Sequence, residues 1–184
     1  MSAPRLAWPP VLVLPGLYGS GPGHWQSRWE QTHPTFRRVQ QRDWNSPDCG
    51  EWVDTLNDAI HACAQPPLLI AHSAACCTVA HWAAQHAQPL HGALLVAPAD
   101  VEATSYPSAP TGFAPMPLHK FDFPTIVVAS TDDPYVSLER ARVFAQSWGA
   151  QIVEIGACGH VNAGSGLGDW PEGLMLARAL ALLD

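Results

Sequence analysis

Short runs of Val, Ile and Leu recur along this chain with helix-patterned segments between them, and that alternation limits the fold more than any other feature. The runs are Val11–Leu14, Phe36–Gln40, Leu68–Ala71, Ala93–Ala97, Thr125–Ala129 and Ile152–Ile155. Several are continuously apolar, as strands buried on both faces of a parallel sheet are. The segments between them carry the helical period. One helix is expected to start near His24. A second spans Cys49 to Cys63, with Asp48 and Glu51 spaced as a capping box and Trp52, Leu56 and Ile60 recurring every four residues along its buried face. A third follows Ser73. A fourth runs from Ser137 to Trp148, with Leu138, Ala141, Ala145 and Trp148 on one stripe, and stops at Gly149. The last follows Pro171, a residue suited to the first helical position. The alternation predicts a three-layer α/β/α sandwich: a mainly parallel sheet of about six strands with helices on both faces.

At 184 residues the chain fits one domain with a real core, and residues 1–184 are read as that single domain. Hydrophobic residues make up 47% and charged ones 14%, which places it with globular rather than disordered chains. A net charge of -7 with nine Lys and Arg gives no electrostatic footprint for nucleic acid or an anionic membrane. The early apolar run Val11–Leu14 is too short to span a bilayer and follows Pro9 and Pro10, so neither a secretory signal nor a membrane anchor is expected. Five cysteines, two of them adjacent and none in a C-x-x-C pattern, suggest reduced thiols in a cytoplasmic protein. His81, His86 and His91 stand five apart and spread around a helix, so no metal site is expected from them.

The run Leu68–Ala71 leads through His72 to Ser73, and Ala74, Ala75 and Cys76 open a helix-like stretch. This is the outline of a nucleophile elbow, in which a strand turns sharply into a helix and lifts a serine hydroxyl to the mouth of a sheet. Both glycines of the usual G-x-S-x-G are replaced, by Ala71 and Ala75. Taken alone, Ser73 also suits a helix N-cap. Its two partners follow in order. Asp133 lies directly after the run Thr125–Ala129, and His160 follows Gly159 after the last run. A serine hydroxyl needs a base, and the base needs an acid to fix its tautomer. The order Ser, Asp, His is that of the α/β-hydrolases. Asp132 is the rival acid, and the turn at Asp133-Pro134 favours Asp133.

The oxyanion of a tetrahedral intermediate needs backbone donors. Ala74, next after the serine, supplies one, and Leu17 in the glycine-rich loop after the first run supplies the other. That loop lacks the lysine and spacing of a nucleotide-binding loop, so no cofactor is expected. Gly16, Tyr18, His72 and Trp170 are the candidate substrate contacts, although Trp170 equally suits an anchor for the loop after His160. Trp25 and Trp29, four apart, read as core, and Cys76 and Cys77 as small buried residues. The stretch from Pro98 to Pro124 shows no periodicity. It is expected to form a wall or partial lid over the site.

These residues resemble a known family. Pro15-Gly16-Leu17-Tyr18-Gly19-Ser20-Gly21-Pro22-Gly23-His24-Trp25-Gln26, Ala71-His72-Ser73, Ser130-Thr131-Asp132-Asp133-Pro134-Tyr135 and Gly159-His160-Val161-Asn162 are similar to the small serine hydrolases grouped with retinoblastoma-binding protein 9 and the bacterial YdeN-type proteins. Asp169-Trp170-Pro171-Glu172-Gly173 is similar to the bacterial branch. The resemblance implies a compact α/β-hydrolase without a cap domain, a triad on Ser73, Asp133 and His160, and hydrolysis of small esters. Ala75 stands where that family commonly has glycine. The expectation is therefore a carboxylesterase acting on a small-molecule acyl substrate. A thioesterase or aminopeptidase on the same residues is the first alternative, and a weakly active protein-binding module the second.

Overall fold

Side chains alternate along each strand, and in β1 (Val11–Leu14) that alternation sorts the two layers of the core. Val11 and Val13 join one buried cluster, Leu12 and Leu14 the other. The computed structural model describes residues 7–183. Among them β1, β2 (Phe36–Arg38), β3 (Leu68–His72), β4 (Gly92–Val96), β5 (Thr125–Ala129) and β6 (Gln151–Glu154) form one sheet in the order β2-β1-β3-β4-β5-β6. Every neighbouring pair is parallel. Five α-helices accompany it: α1 (Trp25–Thr32), α2 (Cys49–His61), α3 (Ala74–Gln85), α4 (Leu138–Trp148) and α5 (Pro171–Ala181). Trp25 and Trp29 of α1 share a cluster with Ala177 and Leu180 of α5 on one face. Residues of α2, α3 and α4 build the cluster on the other. This is the expected α/β/α sandwich. Among the described residues no helix is long and apolar enough to cross a membrane.

The element ends follow local chemistry. Asp48 accepts from the Glu51 amide, but the Glu51 carboxylate pairs with Arg42, so only half of the expected capping box forms. Ser137 caps α4, and Gly149 ends it with φ 70°. Strand β4 starts one residue earlier than the sequence suggested. A β-carbon at Gly92 would lie 2.9 Å from the Pro124 carbonyl oxygen, so the missing side chain lets the strand close there. Ala97 leaves the strand with φ 49°. Strand β2 stops at Arg38, two residues short of the expected end, and β6 runs Gln151–Glu154 rather than Ile152–Ile155.

The strand order decides where a site can sit. After β1 the chain pairs β2 on one side, then returns through α2 to lay β3 on the other. Connections leaving the carboxyl ends of β1 and β3 therefore diverge and open a crevice. The segment between β4 and β5 forms no helix or strand beyond a single bridge of Thr111 to Asp48. It is strapped down instead. His81 meets the Phe113 carbonyl, the Trp148 indole donates to Pro117, and Phe113, Met116 and Phe121 are buried.

Helix α5 begins against an indole. A β-carbon at Gly173 would lie 2.3 Å from the Trp170 ring, whereas one at Gly23 meets nothing nearer than 3.8 Å. Gly173→Ala is expected to lower the unfolding free energy by about 1–3 kcal/mol, and Gly23→Ala to leave it nearly unchanged. Urea titration of the two variants beside the parent protein checks the difference.

Candidate active site

Only one residue separates β3 from α3, and it takes the strain of the turn. Ser73 has φ 56° and ψ -124°, a region that costs a non-glycine residue about 1–3 kcal/mol. It occupies the N-cap position of α3 without making a side-chain cap. Its hydroxyl lies 2.8 Å from Nε2 of His160 instead. Ala71 and Ala75 on either side are buried in the core, as are Cys76 and Cys77. Burial pushes both thiols up, so they stay protonated.

Gly16 brings the loop after β1 against this elbow. A β-carbon there would lie 2.8 Å from both the His72 carbonyl oxygen and Cβ of Ser73. Leu17 and Ala74 each open a helical turn, so neither amide has a partner within its own turn. The loop is fixed by polar contacts. Arg38 donates to the Gly19 carbonyl at 2.7 Å and pairs with Glu30 at 2.7 Å. The fully buried Gln26 donates to Leu14 and Ile70 carbonyls and accepts from the Ser20 hydroxyl.

The two adjacent carboxylates divide. Asp133, its side chain fully buried, places its oxygens 2.8 and 3.0 Å from Nδ1 of His160. Nδ1 thus donates to Asp133, which leaves the Nε2 lone pair facing Ser73. Asp132 accepts from the Ser130 hydroxyl at 2.8 Å and the Gly159 amide at 2.7 Å, and these bonds hold its carboxyl below the usual range. Ser130 in turn accepts from the Cys158 amide. Asp132 therefore pins the loop that carries His160. Nothing but the adjacency of the two acids hints at this task in the sequence.

A cavity of about 460 Å³ opens over Ser73 and His160. Of the expected substrate contacts, Tyr18 and His72 line it, but Gly16 and Trp170 do not. Gly16 acts by its close approach beneath the wall. Trp170 is 3% exposed and stacks on Trp29 with ring centres 5.8 Å apart, so it anchors its loop. Trp25 and Trp29 are core, as expected, and also bind loops, donating to the Val161 and Asp169 carbonyls. Ala99, Tyr106 and Pro107 from the irregular segment form part of the wall. Sequence reasoning missed Tyr135, whose ring packs edge-on against His160, and His24, which it took only as a helix start.

Three histidines lie in a row, with ring centres 4.7 Å apart for His24 and His72 and 4.9 Å for His72 and His160. His72 donates from Nε2 to the His160 carbonyl at 2.9 Å. Burial, then the neighbouring His24 and His160, hold His72 well below the ordinary imidazole range. Burial, then Arg38 and His160, bring His24 down to about 4.

A parallel sheet with a strained serine at a strand–helix elbow, set in line with a histidine and an acid, defines a serine hydrolase of the α/β-hydrolase fold. The sequence model of the serine hydrolase family matches residues 11–179, and the chain belongs to that family. A protein of Pectobacterium atrosepticum described as a YdeN-like hydrolase is 32% identical, with 93% of this chain and 91% of that one covered and a TM-score of 0.81. The ydeN product of Bacillus subtilis is 20% identical, covers 92% and 97%, and superposes with a TM-score of 0.75. A thermophilic esterase of Thermogutta terrifontis, solved with propionate bound, shares the fold at 16% identity, coverage of 97% and 84% and a TM-score of 0.68. No protein with a curated description matches the chain.

The buried neutral histidines couple stability to pH. The unfolded chain protonates His24 near 6.5, the folded one only near 4, so the unfolded state binds more protons across that window. Stability is full above about 6.5 and falls as pH drops towards 4. Between pH 7 and pH 5 His24 alone is expected to remove on the order of 2 kcal/mol. Urea unfolding at the two pH values checks this: His24→Asn should show a shallower loss, and equal losses would contradict a neutral His24.

Proposed function

We propose that the protein is a carboxylesterase that cleaves small acyl esters through an acyl-enzyme, with the whole chain acting as one α/β-hydrolase domain. The observation that carries this reading is the line Asp133–His160–Ser73, with bonds of 2.8 Å at each step, opening into the cavity. His160 takes the proton of Ser73 as its oxygen attacks the ester carbonyl. The tetrahedral oxyanion is received by the amides of Leu17 and Ala74. His160 then gives the proton to the departing alkoxide, and the alcohol leaves. Water, deprotonated by His160, attacks the acyl-enzyme and releases the acid. Asp133 keeps the imidazole in the required tautomer and steadies its cation. His72 is a positioning residue, because its bond to the His160 carbonyl sets the height of the ring.

The reading is supported by the absence of any Asp, Glu, Lys or Arg among the described residues that line the cavity, which suits an uncharged ester. Its substrate is a small molecule, and the reaction as written requires no cofactor.

Labelling with a fluorophosphonate probe tests the proposal. The parent protein is expected to label, Ser73→Ala not at all, and His160→Ala far more slowly. With 4-nitrophenyl butyrate, Asp133→Asn should lower kcat by about 10⁴-fold through the wrong imidazole tautomer. Asp132→Asn should cost much less, because it only loosens a loop. A folded parent protein that fails to label would sink the esterase reading, and an equal loss of kcat in Asp132→Asn and Asp133→Asn would overturn the division of roles between the two acids.

A further inference from the structure

Tyr18 lines the cavity over Ser73 and His160, yet it is 72% exposed. Its backbone has φ 66° and ψ 6°, in the left-handed region where Gly or Asn sits more easily. The turn around it is fixed. The Tyr18 amide donates to the Trp44 carbonyl at 2.9 Å, and Arg38 holds the Gly19 carbonyl. A β-carbon on Gly19 would lie 3.2 Å from the Trp44 ring, so that ring backs the turn. The fold thus accepts a strained backbone for a side chain that it leaves in water, and such outliers gather at ligand sites. All three tyrosines of the chain line this cavity, and among the described residues that line it there is no Trp or Phe. Tyr135, 45% exposed, stands beside His160. Tyrosine suits a rim of this kind, because its ring packs while its hydroxyl stays wet.

We propose that Tyr18 is a specificity-determining residue: its ring packs against an aromatic ring of the substrate, so the site prefers uncharged esters that carry an aryl group, a class that rests on the esterase reading above. Two aromatic rings pack offset or edge-on with a gain beyond their buried area. A sugar ring also packs on aromatic faces, but it needs partners for its hydroxyls. Polar groups at this rim are committed elsewhere, the Ser20 hydroxyl to Gln26 and the Asn162 side-chain oxygen to the Gly164 amide. Among the described residues that line the cavity none is Asp, Glu, Lys or Arg, so an ionised substituent on the ring has no counter-ion.

The test uses matched esters in which phenyl is exchanged for cyclohexyl. On the acyl side these are ethyl phenylacetate and ethyl cyclohexylacetate. On the alcohol side they are benzyl acetate and cyclohexylmethyl acetate. Cyclohexyl is as large and at least as apolar, so burial alone does not favour the phenyl member. The ratio of kcat/KM, phenyl over cyclohexyl, cancels intrinsic reactivity when variants are compared. Tyr18→Asn suits the left-handed backbone and removes the ring. It is expected to lower the ratio about fivefold for at least one pair, mainly through KM. Tyr18→Leu, apolar without a ring, should lower it similarly, and Tyr18→Phe should keep it. A disturbed turn at Leu17 would slow both members of a pair alike. Ratios in Tyr18→Asn equal to the parent values for both pairs would overturn the proposal.

A second readout needs no turnover. Grown with 3-fluorotyrosine, the protein carries three fluorinated rings, each assigned by its replacement with Phe. In Ser73→Ala protein the phenyl esters should shift the Tyr18 fluorine resonance by their ring current, and the cyclohexyl esters should shift it far less. Labelling of the parent protein by the fluorophosphonate with no such difference sinks the aryl contact alone. A Tyr18 shift specific to the phenyl esters without labelling sinks the esterase reading and leaves the aryl contact.

Discussion

One backbone conformation organises the molecule: the left-handed φ of Ser73 between the last residue of β3 and the first of α3. A turn this sharp is unfavourable by itself and persists because its surroundings leave no alternative. Strand β3 is paired on both sides and wholly buried, and α3 packs its first residues into the core. The loop after β1 can lie against the turn only because Gly16 has no side chain. Strand β4 then supplies the Val96 carbonyl that accepts from the Ser73 amide. The sheet thus holds the serine from three strands at once, and the hydroxyl is presented by rigid elements rather than by a mobile loop.

His160 needs a different kind of support, because it follows an edge strand and sits on an irregular loop. Polar bonds replace packing there. Asp132 and Ser130 hold the amides before it, His72 its own carbonyl, and Trp25 the carbonyl of Val161. The aromatic layer of Trp25, Trp29 and Trp170 therefore reaches the site through hydrogen bonds as well as through buried area. The Trp25 and Trp29 indoles each have an apolar body in the core and one N–H to place, and a loop carbonyl is the acceptor within reach.

Much of this was legible in the sequence. Continuous apolar runs report burial on both faces, and that settled the parallel sheet and the helices between its strands. The order of Ser73, Asp133 and His160, with each residue just after a strand, placed three side chains together that are far apart in the chain. Other features were hidden because they depend on contacts between distant segments. Asp132 and Asp133 differ by one position and no chemistry; the turn at Pro134 favoured Asp133 as the acid, but the task of Asp132 depends on the path of the loop that carries His160. Trp170 suited a wall or an anchor until Trp29 was found stacked on it. Gly92 fell outside the expected run Ala93–Ala97, because nothing local reveals the Pro124 carbonyl that passes beside it.

The two edges of the sheet have a consequence for how copies of this protein behave in crowded solution. Strand β2 is three residues long and carries Arg37 and Arg38, while β6 exposes Gln151 and Glu154. A short rim bearing charge is a poor template for another strand. The edges therefore discourage neighbouring molecules from joining sheet to sheet, and the apolar strands between them remain sealed within one chain.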